Sequence, residues 1–112
     1  MSGFAAKVHD TPMGKILAIC DHELLGRRLT GRLGDVDVSL DLIAYREFYD
    51  SGVVLDEDEI TELLSKNKMY VINAVGERIV NLLIDIGITR QEDVKLIGDV
   101  PHIQVYYIRK EE

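Results

Sequence analysis

Two strand-length runs, "FAAKVH" and "KILAIC", stand on either side of "DTPMG" within the first twenty residues. Asp, Pro and Gly each favour a turn for a separate backbone reason, so the pair reads as an antiparallel hairpin turning over residues 10–14. Phe4, Ala6 and Val8 then share one face of the first strand, and Ala5, Lys7 and His9 the other. The second run is apolar on both faces, as a central strand often is. With this turn His9 falls opposite Lys15 and Cys20 opposite Phe4, at opposite ends of the ribbon, roughly 17 Å apart at about 3.4 Å per residue.

That length bears on the most chemically suggestive stretch, "ILAICDHELLGRR", which holds the single cysteine beside Asp21, His22 and Glu23. Tetrahedral zinc needs its ligands about 2.0–2.3 Å from one point, so a four-ligand structural site joining His9 with Cys20 and His22 fits the spacing poorly, and only His102 could join either end. No metal and no cofactor is expected. A nucleophilic cysteine needs a thiolate, stabilised by a cation, a helix N-terminus or a histidine. Cys20 instead shares its strand face with Ile16 and Ala18 and reads as a small buried hydrophobe. His22, flanked by two acids and followed by two leucines, reads as part of a helix entry.

Beyond Cys20, "DHELLGRRLTGRLG" reads as a short helical turn ending near Gly26 and then a loop. "DVDVSL" alternates, with Val36, Val38 and Leu40 toward a core and Asp35, Asp37 and Ser39 toward water. Leu42, Ile43, Tyr45, Arg46 and Tyr49 fit a short amphipathic helix closed by "DSG". Asp56 with Glu59 forms a capping-box signature ahead of Ile60, Leu63 and Leu64. "MYVINAVGERIVNLLIDIGI" opens as a strand over residues 69–72 and continues as a helix stopped at Gly87. Thr89 with Glu92 repeats the start signal for a further helix ending at Gly98. "VPHIQVYYIRK" is a closing strand whose Pro101 belongs near its start or on an edge. The layout predicts a single α+β domain over residues 1–112, a mainly antiparallel sheet with helices packed on one face.

Twenty acidic against thirteen basic residues give a net charge of −7, which opposes non-specific attraction to DNA and to anionic membranes. The lone cysteine, the absence of a long apolar run and the lack of a signal-peptide pattern point to a soluble cytoplasmic protein.

Three surfaces are candidates for function. Lys7 and His9, Asp35 and Asp37, and His102, Gln104 and Tyr106 are the polar partners of apolar strand faces, and they gather on the side of the sheet away from the helices. "NAVGERI" sets Asn73, Gly76 and Arg78 at a strand-to-helix turn, where free backbone N–H groups suit an anion. Neither nucleotide-binding glycine fingerprint accompanies it. Arg27, Arg28 and Arg32 lie in the glycine-containing loop, where arginines can meet phosphates or acidic protein surfaces.

The segments "KVHDTPMGKILAICDHELLGR", "FY" with Gly52, "NAVGE" and "GDVPHIQVYYI" together resemble a small archaeal family, domain of unknown function number four hundred and twenty-four. The likeness runs over nearly the whole chain, through Val8-His9, Cys20-Asp21, Glu23 to Arg27, Asn73 with Gly76, and Pro101-His102. It implies a compact cytosolic single-domain protein linked to the archaeal translation apparatus, with no catalytic role to carry over. "SLDLIAYREFYD" is longer than the family pattern, which weakens the helix expected there. The leading reading is thus a non-enzymatic binding or accessory module for RNA or a ribosome-associated protein, working through the loop arginines and the polar sheet face. A small enzyme using Cys20, His22 or His102 and a homo-oligomeric structural protein joined through Tyr45, Phe48 and Tyr49 are the alternatives.

Overall fold

A computed structural model describes residues 3–33 and 35–107, Leu33 in its backbone only. β1 (Phe4–Thr11) and β2 (Gly14–Asp21) form the expected hairpin, with a turn of only Pro12 and Met13. The Thr11 hydroxyl donates to the Gly14 carbonyl at 2.7 Å and accepts from the Met13 N–H at 3.2 Å, closing the turn locally. The shorter turn moves the register by one residue: His9 pairs with Ile16 and Cys20 with Ala5. Four strand positions still separate the two, about 14 Å at ~3.4 Å per residue.

After β2 the chain makes a turn of 3-10 helix at His22–Leu24 and then β3 (Arg28–Leu33) and β4 (Val36–Asp41), a separate two-stranded sheet. Arg28 and Arg32, read as loop residues, therefore lie on a strand paired with β4, while Arg27 precedes it. Of the β4 residues expected to face a core, Leu40 packs against buried side chains while Val36 is exposed. α1 (Arg46–Tyr49) is a single turn, shorter than the apolar spacing suggested. β5 (Val54–Leu55) pairs with β1, and α2 (Glu57–Lys66) follows. Its capping box forms as expected: the Asp56 carboxylate accepts from the Glu59 N–H at 2.8 Å, and Glu59 accepts from the Asp56 N–H at 3.1 Å.

β6 (Met69–Val75) then enters the main sheet beside β2, and parallel to it. Parallel neighbours need a long crossover, which the stretch from β3 to α2 supplies. α3 (Glu77–Asp85) follows, and β8 (Val100–Tyr106) returns antiparallel to β6. The expected helix between Thr89 and Gly98 does not form. Gln91–Asp93 make one 3-10 turn, and β7 (Lys95–Ile97) pairs with β8. Val94 and Ile97 pack into opposite clusters, which a strand allows over so short a span. The six-stranded sheet runs β5-β1-β2-β6-β8-β7 and is mixed rather than purely antiparallel. The closing strand expected to reach Lys110 is seen to Tyr106; residues 108–110 lie outside the described residues.

Strand alternation divides the buried residues into two clusters. Phe4, Ala6, Leu17, Ile19, Ile72, Ala74 and Ile103 meet Ile60 of α2 and Ile79, Val80 and Leu83 of α3. On the other side Ala5, Ala18, Cys20 and Val75 meet Leu24, Leu29, Leu42 and Tyr49. α2 and α3 thus serve one cluster, while α1 serves the other together with the β3–β4 hairpin. No described helix is long and apolar enough to cross a membrane.

The hairpin is seated by a glycine pair. A side chain on Gly31 would overlap the backbone nitrogen of Gly98, so β3 lies directly on the turn between β7 and β8. Gly31→Ala is expected to lower stability by about 1–3 kcal/mol, the usual cost of forcing extra volume into a close contact. Urea unfolding with an unchanged slope and a lower midpoint is the measurement that checks it.

Candidate functional site

The stretch that opened the chemical question is internally committed. Cys20 is fully buried. Burial, then the nearby Asp21, Asp50 and Glu23 carboxylates, push its thiol up to about 12, so no thiolate is present near neutrality. His22 is half-buried at the start of the 3-10 turn, and its backbone N–H donates to the Gly3 carbonyl at 3.1 Å.

Asp21 is buried, and its carboxylate accepts from the Arg78 N–H at 3.0 Å and the Ile79 N–H at 2.9 Å. These are N-terminal donors of α3, otherwise orphaned by helix geometry. The anion anticipated at Asn73, Gly76 and Arg78 is therefore the chain's own Asp21. Gly76 sits at φ +127°, a conformation other residues rarely adopt, and a Cβ there would lie 2.6 Å from Asp21 Oδ2. Burial raises the Asp21 pKa, against the opposing pull of the two N–H donors and the Arg78 charge. Arg78 itself donates from Nε to Glu23 at 3.1 Å and from a terminal nitrogen to the Gly3 carbonyl at 2.9 Å, and it lies over the Phe4 ring at 4.8 Å. Its hydrogen bond holds Glu23 below the ordinary carboxylate range. The Asp21–Arg78–Glu23 group does not stand out as a unit in the sequence. Its signal is the acid that ends β2 and the glycine that ends β6, adjacent only once those strands are known to be parallel.

Two of the three clustered arginines are neutralised. Arg28 pairs with Asp41 and Arg32 with Asp37, each at 3.2 Å, on cross-strand positions of the β3–β4 hairpin. Asp41 also accepts from the N–H groups of Ala44 and Ile43, and the Ala44 bond leads in holding its pKa down. Arg27 is exposed and, among the described residues, its side chain has no ion-pair partner.

The sheet register brings the remaining candidates into rows. Lys7 pairs with Ala18, Ala18 with Asn73 and Asn73 with Gln104; His9, Ile16, Val71 and Tyr106 form the next row, and His102 lies beside Val75. Asp35 and Asp37 lie outside this surface, at the start of the other sheet. The β1 side of the face is covered. Lys7 donates to the Glu47 carbonyl at 3.0 Å, and His9 Nε2 donates to the Phe48 carbonyl at 2.8 Å while its ring stacks on Phe48 at 4.7 Å. The Tyr49 hydroxyl donates to Asn73 Oδ1 at 2.9 Å. Tyr49 is thereby buried and Phe48 half-buried, which leaves only Tyr45, 59% exposed, of the three aromatics considered for an interface.

The β8 side stays open. Gln104 is exposed, Tyr106 is 58% exposed, and the Tyr106 hydroxyl donates to Gln104 Oε1 at 3.0 Å. His102 is half-buried opposite Lys95 of β7. Burial first, and the Lys95 charge second, lower its pKa, so the ring is neutral at pH 7. Among the described residues no three His, Cys, Asp or Glu side chains converge as metal ligands.

Native protein is expected to react with a thiol reagent only as fast as it unfolds. The Cys20 pKa is raised on folding, so its contribution to stability is complete below pH 9.0 and is lost as pH rises toward about 12. Urea unfolding across that range is expected to show a smaller alkaline loss in Cys20→Ala than in the parent chain. Asp21→Asn leaves one buried α3 N–H facing an amide N–H₂ and is expected to cost about 1–3 kcal/mol in the same assay at neutral pH.

Comparison with solved structures finds an uncharacterized conserved protein from Methanopyrus kandleri, 29% identical, with a TM-score of 0.74 over 97% of this chain and 95% of that one. No curated protein matches. The family described as protein of unknown function (DUF424) matches residues 8–108, which takes in the end of β1, all of β2, the Asp21–Gly76 contact and the open β8 face. The chain belongs to that DUF424 family.

Proposed function

We propose that this protein is a non-catalytic binding module that takes up a segment of a protein partner on the open side of the sheet face, across Lys95, His102, Gln104 and Tyr106. The observation that carries this reading is the division of that face. Residues 47–49 seal the β1 side through three hydrogen bonds, while β8 presents an exposed tyrosine and glutamine on a rigid strand. Tyrosine is enriched at binding surfaces because it offers a large contact area with a polar end. A protein partner is favoured over RNA by charge. The chain carries −7, and two of the three clustered arginines are already paired with aspartates. Of the enzyme alternative, the use of Cys20 as a nucleophile loses support because that residue is buried and its thiol stays protonated.

The test is capture from native cell extract with the intact chain and with a Tyr106→Ala, Gln104→Ala double variant, each with and without ribonuclease. The expected result is a protein captured by the parent chain after ribonuclease treatment and lost with the double variant. Equal capture by both chains overturns the surface assignment. Capture that disappears with ribonuclease and falls steeply with salt overturns the protein-partner reading in favour of RNA, since phosphate contacts weaken as salt rises.

A further inference from the structure

A pocket of about 290 Å³ opens on the other side of the sheet, among Leu64, Lys68, Met69, Ile72, Ile88 and Tyr107. It exists because α2 ends at Lys66, just before β6, and the segment after α3 contributes only Ile88 to its wall. The β6 backbone is irregular here. Lys15 pairs with Met69 and Ile16 with Val71, so Tyr70 is an extra residue, and its carbonyl accepts from the Tyr107 N–H at 2.9 Å. That bond holds Tyr107 at the pocket wall. The floor is apolar: Ile72 and Met69 are almost completely buried. The Asn67 amide nitrogen is committed to the Leu63 carbonyl at 2.9 Å. Lys68 is exposed, and among the described residues its ammonium has no ion-pair partner, whereas nearby Lys66 is paired with Glu62.

We propose that this pocket binds a small amphipathic carboxylate, its apolar body against Met69, Ile72, Leu64 and Ile88 and its anionic end at Lys68. Charge complementarity selects the anion. On a chain of net charge −7 the overall field repels a carboxylate, and an exposed lysine that lines an apolar recess and has no ion-pair partner among the described residues is a local exception. The volume selects the size, since it sits at the low end of the range of about 300–1,000 Å³ seen for small-molecule sites and suits a chain of roughly eight carbons.

The probe is octanoate, with octanol and octylamine as neutral and cationic comparators, followed by backbone amide NMR shifts. Octanoate is expected to give saturable shifts at Lys68, Met69, Ile72, Ile88 and Tyr107, with a dissociation constant on the order of 1 mM for a ligand this small. Lys68→Glu is expected to weaken octanoate about five-fold while leaving octanol unchanged, in line with an exposed charge contact. Lys66→Glu is expected to leave octanoate binding as it was, and Leu64→Phe, which reduces the volume, to weaken octanoate and octanol together. Shifts that never saturate, octylamine binding as tightly as octanoate, or Lys68→Glu binding octanoate like the parent chain each overturn the proposal.

Discussion

The architecture depends on one buried carboxylate. β2 and β6 lie side by side and parallel, so the chain has to travel a long way between them, and nothing local fixes how their ends align. Asp21, at the last position of β2, reaches the first N–H groups of α3 just beyond β6 and closes that alignment with two hydrogen bonds. The same contact needs a residue without a side chain at Gly76, and it places Arg78 where it can bind Glu23 and the Gly3 carbonyl. A burial that costs solvation is thereby offset by satisfied donors and a neighbouring cation.

With the central pair fixed, the two faces divide the work. One receives α2 and α3 and buries the larger cluster, and the other receives the β3–β4 hairpin and the α1 turn. The second covering is incomplete. Backbone carbonyls at Glu47 and Phe48 take hydrogen bonds from Lys7 and His9, so polar side chains that look like an open platform in the sequence serve as anchors for the next segment. Gln104 and Tyr106, three strands further across on β8, have no such segment above them among the described residues and are exposed.

Local patterns were legible where the physics is local. The β1–β2 hairpin, the Asp56–Glu59 capping box and the burial of Cys20 follow from turn chemistry, capping geometry and alternation within a few residues. The register of the hairpin was off by one because "DTPMG" does not say how many of its five residues stay in the strands. Thr89 and Glu92 carry a helix-start signal, yet the segment folds as a turn and β7, since Val94 and Ile97 are drawn to opposite clusters. Arg28 and Arg32 read as loop residues because the glycine at residue 31 looks like a breaker, whereas it is a strand position where Gly98 crosses too closely for any side chain; Arg27 does lie outside β3. At the candidate site, β8 alternation correctly grouped His102, Gln104 and Tyr106. That Asp21 would fill the anion position at Gly76 was hidden, because residues 55 positions apart in sequence meet only through the parallel pairing.

The outer strands of the main sheet are very short: β5 has two residues and β7 three. Because β5 covers only Phe4 and Ala5 of β1, and β7 only Val100–His102 of β8, the rest of each longer strand has no ladder partner on its outer side among the described residues and presents the kind of edge on which a foreign strand can pair.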